Sequence, residues 1–171
     1  LIGRVVDSVR IAPARCAPRV SCGLCWCPRG NLHPPVWKQG ETLSSITKQV
    51  AQQLNRWFAA LKSCNPTRVT DLYADDAILL STLKGDVKKG HRKIHTYFES
   101  AFLPKHPIGK VVEGHTRVIG GTAVNSGLYS FKIDGKDGKR ATVQARYTFV
   151  YQWTGDDWKI VEHHSSLNPE S

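Results

Sequence analysis

Near residue 105 the apolar side chains stop recurring at steps of three and four and begin to alternate, and few folds accommodate that change. Upstream, "ETLSSITKQVAQQLNRWFAALKSCNP" sets Ile46, Val50, Leu54, Trp57, Phe58 and Leu61 on one helical face. "TLSS" offers N-cap hydroxyls, and Asn65-Pro66 ends the helix. A short helix at "TRVTDLY" and a strand at "AILLST" follow, then a second amphipathic helix around "GHRKIHTYFESAFL" carrying Ile94, Phe98 and Phe102. Downstream come the strands "KVVEGHTRVIG", "AVNSGLYSFKI", "ATVQARYTFVYQW" and "WKIVEHHSS", separated by the turns "GGT", "DGKDGK" and "TGDD". In the third of these, Ala141, Val143, Ala145, Tyr147, Phe149, Tyr151 and Trp153 share a face, opposite Gln144, Arg146, Thr148 and Gln152. Helices first and strands after predict an α+β domain: a curved antiparallel sheet wrapped around two to three N-terminal helices.

The 171 residues divide at Glu41. Before it lie Arg4, Arg10, Arg15, Arg19, Arg29 and Lys38 against a single acid, Asp7; from Glu41 onward, eighteen basic residues face thirteen acidic ones. The net charge of +10 is thus concentrated in the first forty residues, and the folded part shows no aromatic-interleaved basic pattern for nucleic acid. The same forty residues hold Cys16, Cys22, Cys25 and Cys27 at C-x5-C-x2-C-x-C, a poor match to zinc-ligand spacing. Residues 1–40 therefore read as a basic, Cys- and Pro-containing leader or linker, poorly ordered, and 41–171 as the folded domain. A chain that begins at Leu1 and contains no Met is expected to be a piece of a longer one. No apolar run approaches the ~20 residues that cross a bilayer, so no membrane partner is expected.

"DLYADDAILLST", "ARYTFVY" and "W-x-I-V-x-H-H-S-S-x-x-P", in this element order, resemble the cone-shaped nuclear transport factor 2-like fold. Within it, the match from Glu41 onward is to the association (hub) domain of calcium/calmodulin-dependent protein kinase II. The "HHSS" ending resembles the iota-class carbonic anhydrases, which are built on this hub-like domain. That resemblance implies reversible hydration of carbon dioxide to bicarbonate and a proton, a homodimer or higher homo-oligomer and, with the basic leader, a plastid location. Arginines that line the hub pocket correspond here to Tyr129, Phe149 and Ser165, and an acid of the hub corresponds to Thr82. The frame is a hub's; the pocket chemistry differs.

Alternation along the last strand places Val161, His163 and Ser165 on one face and Glu162, His164 and Ser166 on the other. Alignment to the hub turns Ser165, and with it His163, into the cavity; a slip of one residue exchanges them for His164 and Ser166. Adjacent strand histidines cannot share one metal ion, and His91 and His95 lack the Glu of H-E-x-x-H. Asp71, Asp75 and Asp76 read as turn residues, and His33, His106 and His115 as loop or sheet residues without partners. A site with no metal and no cofactor follows, with manganese or zinc as the alternatives. The catalytic candidates are His163, Ser165, Tyr97 and Thr82: the imidazole as proton acceptor, the hydroxyls fixing water and bicarbonate. Tyr129, Phe149 and Tyr147 are the candidates for substrate contact, with Leu80 as further apolar wall. Each also has a plain reading: Tyr97 packs beside Phe98, Thr82 bonds locally at a strand end, and an inward histidine is a satisfied core residue. Two other functions fit the same frame: a non-catalytic hub-type oligomerisation domain, and a cone-fold isomerase, cyclase or dehydratase on a small organic substrate.

Overall fold

The computed structural model describes residues 42–135 and 138–169; the leader expected at residues 1–40 lies outside them. Helix α1 (Leu43–Lys62) starts where the Thr42 hydroxyl accepts from the Ser45 amide at 3.2 Å. Its apolar stripe, Ile46, Val50, Leu54, Trp57 and Leu61, is buried throughout, whereas Phe58 is only partly covered. The helix ends in a left-handed Cys64, and Asn65 caps α2 (Pro66–Thr70) through bonds to the Thr67 and Arg68 amides. Helix α3 (His91–Tyr97) continues as a π-turn over Phe98–Phe102 and a 3-10 turn over Leu103–Lys105.

The strands are β1 (Tyr73–Leu80), β2 (Val87–Lys89), β3 (Ile108–Ile119), β4 (Thr122–Asp134), β5 (Arg140–Trp153) and β6 (Trp158–Leu167). They form one sheet in the order β2-β1-β6-β5-β4-β3. Every pairing is antiparallel except β1 with β6, so the sheet is mixed, a correction to the all-antiparallel expectation. Hairpin turns announce neighbours that are consecutive in the chain; the parallel contact joins strands from the two ends of the domain, and no turn encodes it. Two further expectations are corrected. The first strand begins at Tyr73, so Asp75 and Asp76 lie exposed in an irregular stretch of β1 and not in a turn. Three-residue β2 is too short to carry a period of its own.

The alternation expected for β5 holds: Ala145, Tyr147, Phe149 and Tyr151 are buried while Arg146 and Gln152 are exposed. Their inner face receives α1. The Trp57 ring meets Phe149 edge-on at 5.2 Å and His163 at 5.3 Å, so the helix plugs the concave side of the sheet.

Candidate functional site

One extra residue in β6 decides what faces the cavity. Val150 pairs with Glu162 but Tyr151 pairs with Ile160, so Val161 is a bulge. Ile160 and His163 are both buried although they stand three apart, and Val161 leaves the inner face to which alternation assigned it. Past the bulge the period of two resumes: His163 inward, His164 exposed, Ser165 against the cavity. The inward pair is therefore His163 and Ser165, and Ser166 accepts from Arg146 Nε on the outer side at 3.3 Å.

His163 is 3 % exposed and sandwiched, its ring stacked on Phe149 at 3.9 Å. Nδ1 lies 2.8 Å from the Tyr73 hydroxyl, which itself accepts from Trp57 Nε1–H at 3.2 Å. Nδ1 is the one acceptor beside the Tyr73 hydroxyl among the described residues, so the phenolic proton is assigned to Nδ1 and the imidazole proton to Nε2. That Nε2–H has no partner among the described residues, and the ring borders the cavity. Burial, with a smaller push from His164, depresses the His163 pKa to about 3. The side chain is thus a neutral imidazole on the cavity wall with a spare N–H, where the sequence suggested a proton acceptor.

Ser165 Oγ accepts from the Tyr129 hydroxyl and lies 2.6 Å from Thr82 Oγ1, closing a three-hydroxyl cluster. Thr82 reaches it from the segment after β1, Tyr129 from β4. Burial pushes the Tyr129 hydroxyl well above its ordinary range and raises Tyr97 to about 12, so both stay protonated donors at neutral pH. Tyr97 bonds Ser81, one residue before Thr82, and packs against Phe98 and Phe102, so its packing and polar readings both apply.

These groups border a cavity of about 150 Å³ walled mainly by Trp57, Leu79, Phe98, Phe102, Phe131 and Val143. It brings together His163, Ser165, Tyr97, Thr82 and Tyr129. Tyr147 and Phe149 stand one layer behind, stacked on Tyr129 at 5.0 Å and on His163 respectively. Tyr147 Oη donates to Asn125 Oδ1 at 3.1 Å. Leu80 is 42 % exposed and belongs to the outer face; Leu79 takes the wall position because alternation along β1 turns Ala77 and Leu79 inward, and the strand ends at Leu80, two residues before the expected Thr82. Trp57 and Tyr73 were missed as site residues. Their signal was the apolar stripe of α1 and an aromatic before "ADD", and neither reports on a hydrogen bond.

Among the described residues no group of three or more His, Cys, Asp and Glu side chains converges as a metal site. His91 Nε2 bonds the Tyr73 carbonyl, and His95 lies near Thr67 and Glu99. His106 and His115, expected to lack partners, pair with Asp134 at 2.9 Å and Glu113 at 2.7 Å.

The model of the calcium/calmodulin dependent protein kinase II association domain matches residues 47–169. A solved candidate association domain from Xanthomonas campestris is 40% identical with a TM-score of 0.69, covering 78% of this chain and 93% of that one. The CamKII hub homology domain of a Chlamydomonas species, at 23% identity and TM-score 0.60, covers 72% of this chain and 99% of its own. A candidate dehydratase of the NTF2-like family from Streptomyces avermitilis shares the fold at 16% identity and TM-score 0.65, over 72% and 97% of the two chains. No curated protein matches the chain in sequence. With its family model aligned from the first helix to the end of the last strand, this chain belongs to the calcium/calmodulin-dependent protein kinase II association-domain family, on an NTF2-like cone.

Proposed function

We propose that the cone is a carbonic anhydrase of the iota kind, hydrating carbon dioxide reversibly to bicarbonate and a proton without a metal or other cofactor. The observation that carries this reading is a largely apolar cavity bordered by an imidazole with a buried, unpartnered N–H and by the Ser165 hydroxyl cluster. Its size supports a very small substrate: about 150 Å³, where pockets for drug-sized ligands typically run from roughly 300 Å³ upward. A cone-fold isomerase or cyclase would need more room and an inward carboxylate, and the cavity wall contains no Asp or Glu.

In this mechanism apolar rings receive the gas, and Ser165 Oγ holds the attacking water while accepting from Tyr129. The water oxygen bonds to carbon, and the displaced π electrons settle on an oxygen that accepts from His163 Nε2–H. The water proton passes to Ser165 as the Ser165 proton moves to Thr82 and on to solvent. Thr82 and Ser165 also border an outer groove with His164 and Ser166, which gives the proton an exit. Positioned proton transfer contributes ~10²–10⁴-fold, so a slower enzyme than the zinc hydratases is expected.

Stopped-flow hydration with a pH indicator tests the reading. The protein accelerates hydration above the buffer rate, and Ser165→Ala and Thr82→Val each lower the rate at least ten-fold while remaining folded. A wild-type protein with no acceleration, or folded variants at the wild-type rate, would refute it.

Assembly into a homodimer or larger homo-oligomer is also proposed. Strand β3 is a long edge with Ile108, Val112 and Ile119 exposed, a surface that self-association would cover. Sedimentation velocity checks it. A plastid location, proposed from the basic leader and the resemblance, is checked by imaging the tagged full-length chain.

A further inference from the structure

The mechanism above leaves one buried charge unused. Lys88, on β2, is 4 % exposed, the only Lys or Arg among the described residues to be buried. It pairs directly across from Leu79, which pairs with His163, so all three point to the same side of the sheet. Its ammonium donates to Ser81 Oγ at 3.1 Å, Asp86 O at 2.8 Å, Asp86 Oδ1 at 3.1 Å and Lys84 O at 3.4 Å. It also stands 5.0 Å from the centre of the Tyr97 ring. Ser81 and Tyr97 are cavity wall, so a single layer of side chains separates the charge from the cavity. The one carboxylate on it, Asp86, is 72 % exposed, so it offsets the ammonium only in part.

We infer that Lys88 is the counter-charge of the cavity, making it a receptor for small, singly charged oxyanions. Ser81 accepts from the ammonium, donates to the Lys84 carbonyl at 3.2 Å and bonds Tyr97, so the wall between charge and cavity is fixed and the field acts across it directly. A cation behind a low-dielectric wall stabilises an anion more than it would through water. The inference rests on the proposed hydration only in naming bicarbonate as that anion; the charge argument applies to any oxyanion of that size.

Sodium formate is the probe, titrated at constant ionic strength while backbone amide shifts of Thr82 and Ser165 locate binding at the cavity. Lys88→Met is expected to weaken formate binding on the order of ten-fold. Asp86→Asn, which frees the ammonium from its only carboxylate, is expected to tighten it. A lysine that merely braced the 81–86 turn would give no tightening in Asp86→Asn, so this variant decides the case even if Lys88→Met unfolds. Unchanged affinity in a folded Lys88→Met, no tightening in Asp86→Asn, or no formate shifts at Thr82 and Ser165 would overturn the inference. Stopped-flow hydration on the same samples separates the two ideas. Formate binding that follows the charge in a protein with no hydratase activity leaves Lys88 standing and removes the hydration reading.

Discussion

In the proposed hydration, His163 acts through a proton it keeps. Tyr73 donates to Nδ1 and the buried Nε2–H is left without a partner among the described residues, so a side chain that retains an N–H without a basic lone pair should substitute for it in part. His163→Gln is expected to keep a measurable fraction of the hydration rate, and His163→Phe, similar in shape but without a donor, to lose about 10²-fold. Equal loss in both, with both folded, would return the histidine to the role of base. The same neutrality has a cost in acid. The folded pKa is about 3, against ~6.5 for an unperturbed histidine. Between those values the unfolded chain binds the extra proton, so stability is complete above the unfolded value and falls as pH drops through the window. The slope is about 1.4 kcal/mol per pH unit. Urea unfolding at pH 6.5 and pH 5 should therefore show wild type losing about 2 kcal/mol more than His163→Gln. The same loss in both proteins would mean the imidazole is not held neutral.

The bulge at Val161 is the element on which the site depends. Without it, and with Val161 retained, the period of two links Ile160 to Glu162, and β6 must turn either its apolar start or its polar end away from the cone. Deleting Val161 leaves Glu162 alone between Ile160 and His163, so an unbulged strand keeps both inward and in register with Tyr151 and Phe149; the deletion is expected to stay cooperative and to cost less than about 2 kcal/mol. Val161→Ala keeps the residue count and should cost less than about 1.5 kcal/mol. Urea denaturation of the pair checks this, and a deletion variant that loses its cooperative transition would show that the bulge does more than offset one extra residue. Sequence could not reveal this feature: "WKIVEHHSS" alternates acceptably in either register, and the hub alignment chose the correct inward pair while misplacing Val161. The β5 face and the α1 stripe were legible because seven alternating residues and four helical turns each repeat their signal. Short β2 and the bulged β1 repeat nothing, and so the parallel seam and the position of Asp75 and Asp76 were hidden.

For the whole molecule, the cone was legible and its interior only half so. The period change gave helices against a curved sheet, and the cavity collects His163, Ser165, Tyr97, Thr82 and Tyr129, all candidates from the sequence. Contacts made by rings from α1 and by Tyr73 were not legible, because a buried aromatic looks the same in sequence whether it packs or donates. Those contacts bear on metal dependence. A metal ion needs lone pairs, and the cavity offers few: Nδ1 of His163 is occupied by Tyr73, Nε2 carries its proton, and the nearby hydroxyls are tied to one another. To accept zinc or manganese at Nε2, the imidazole would have to move its proton to Nδ1 and break the bond that Tyr73 donates, with no second strong ligand to compensate. Exhaustive chelation is therefore expected to leave the hydration rate within two-fold of the untreated protein, with added zinc or manganese restoring nothing. Metal analysis of the same sample should find less than one equivalent. A rate that collapses on chelation and returns with one metal would mean that the Tyr73–His163 bond is exchanged for a metal bond in the working enzyme, and the hydroxyl cluster would then be holding a metal-bound water.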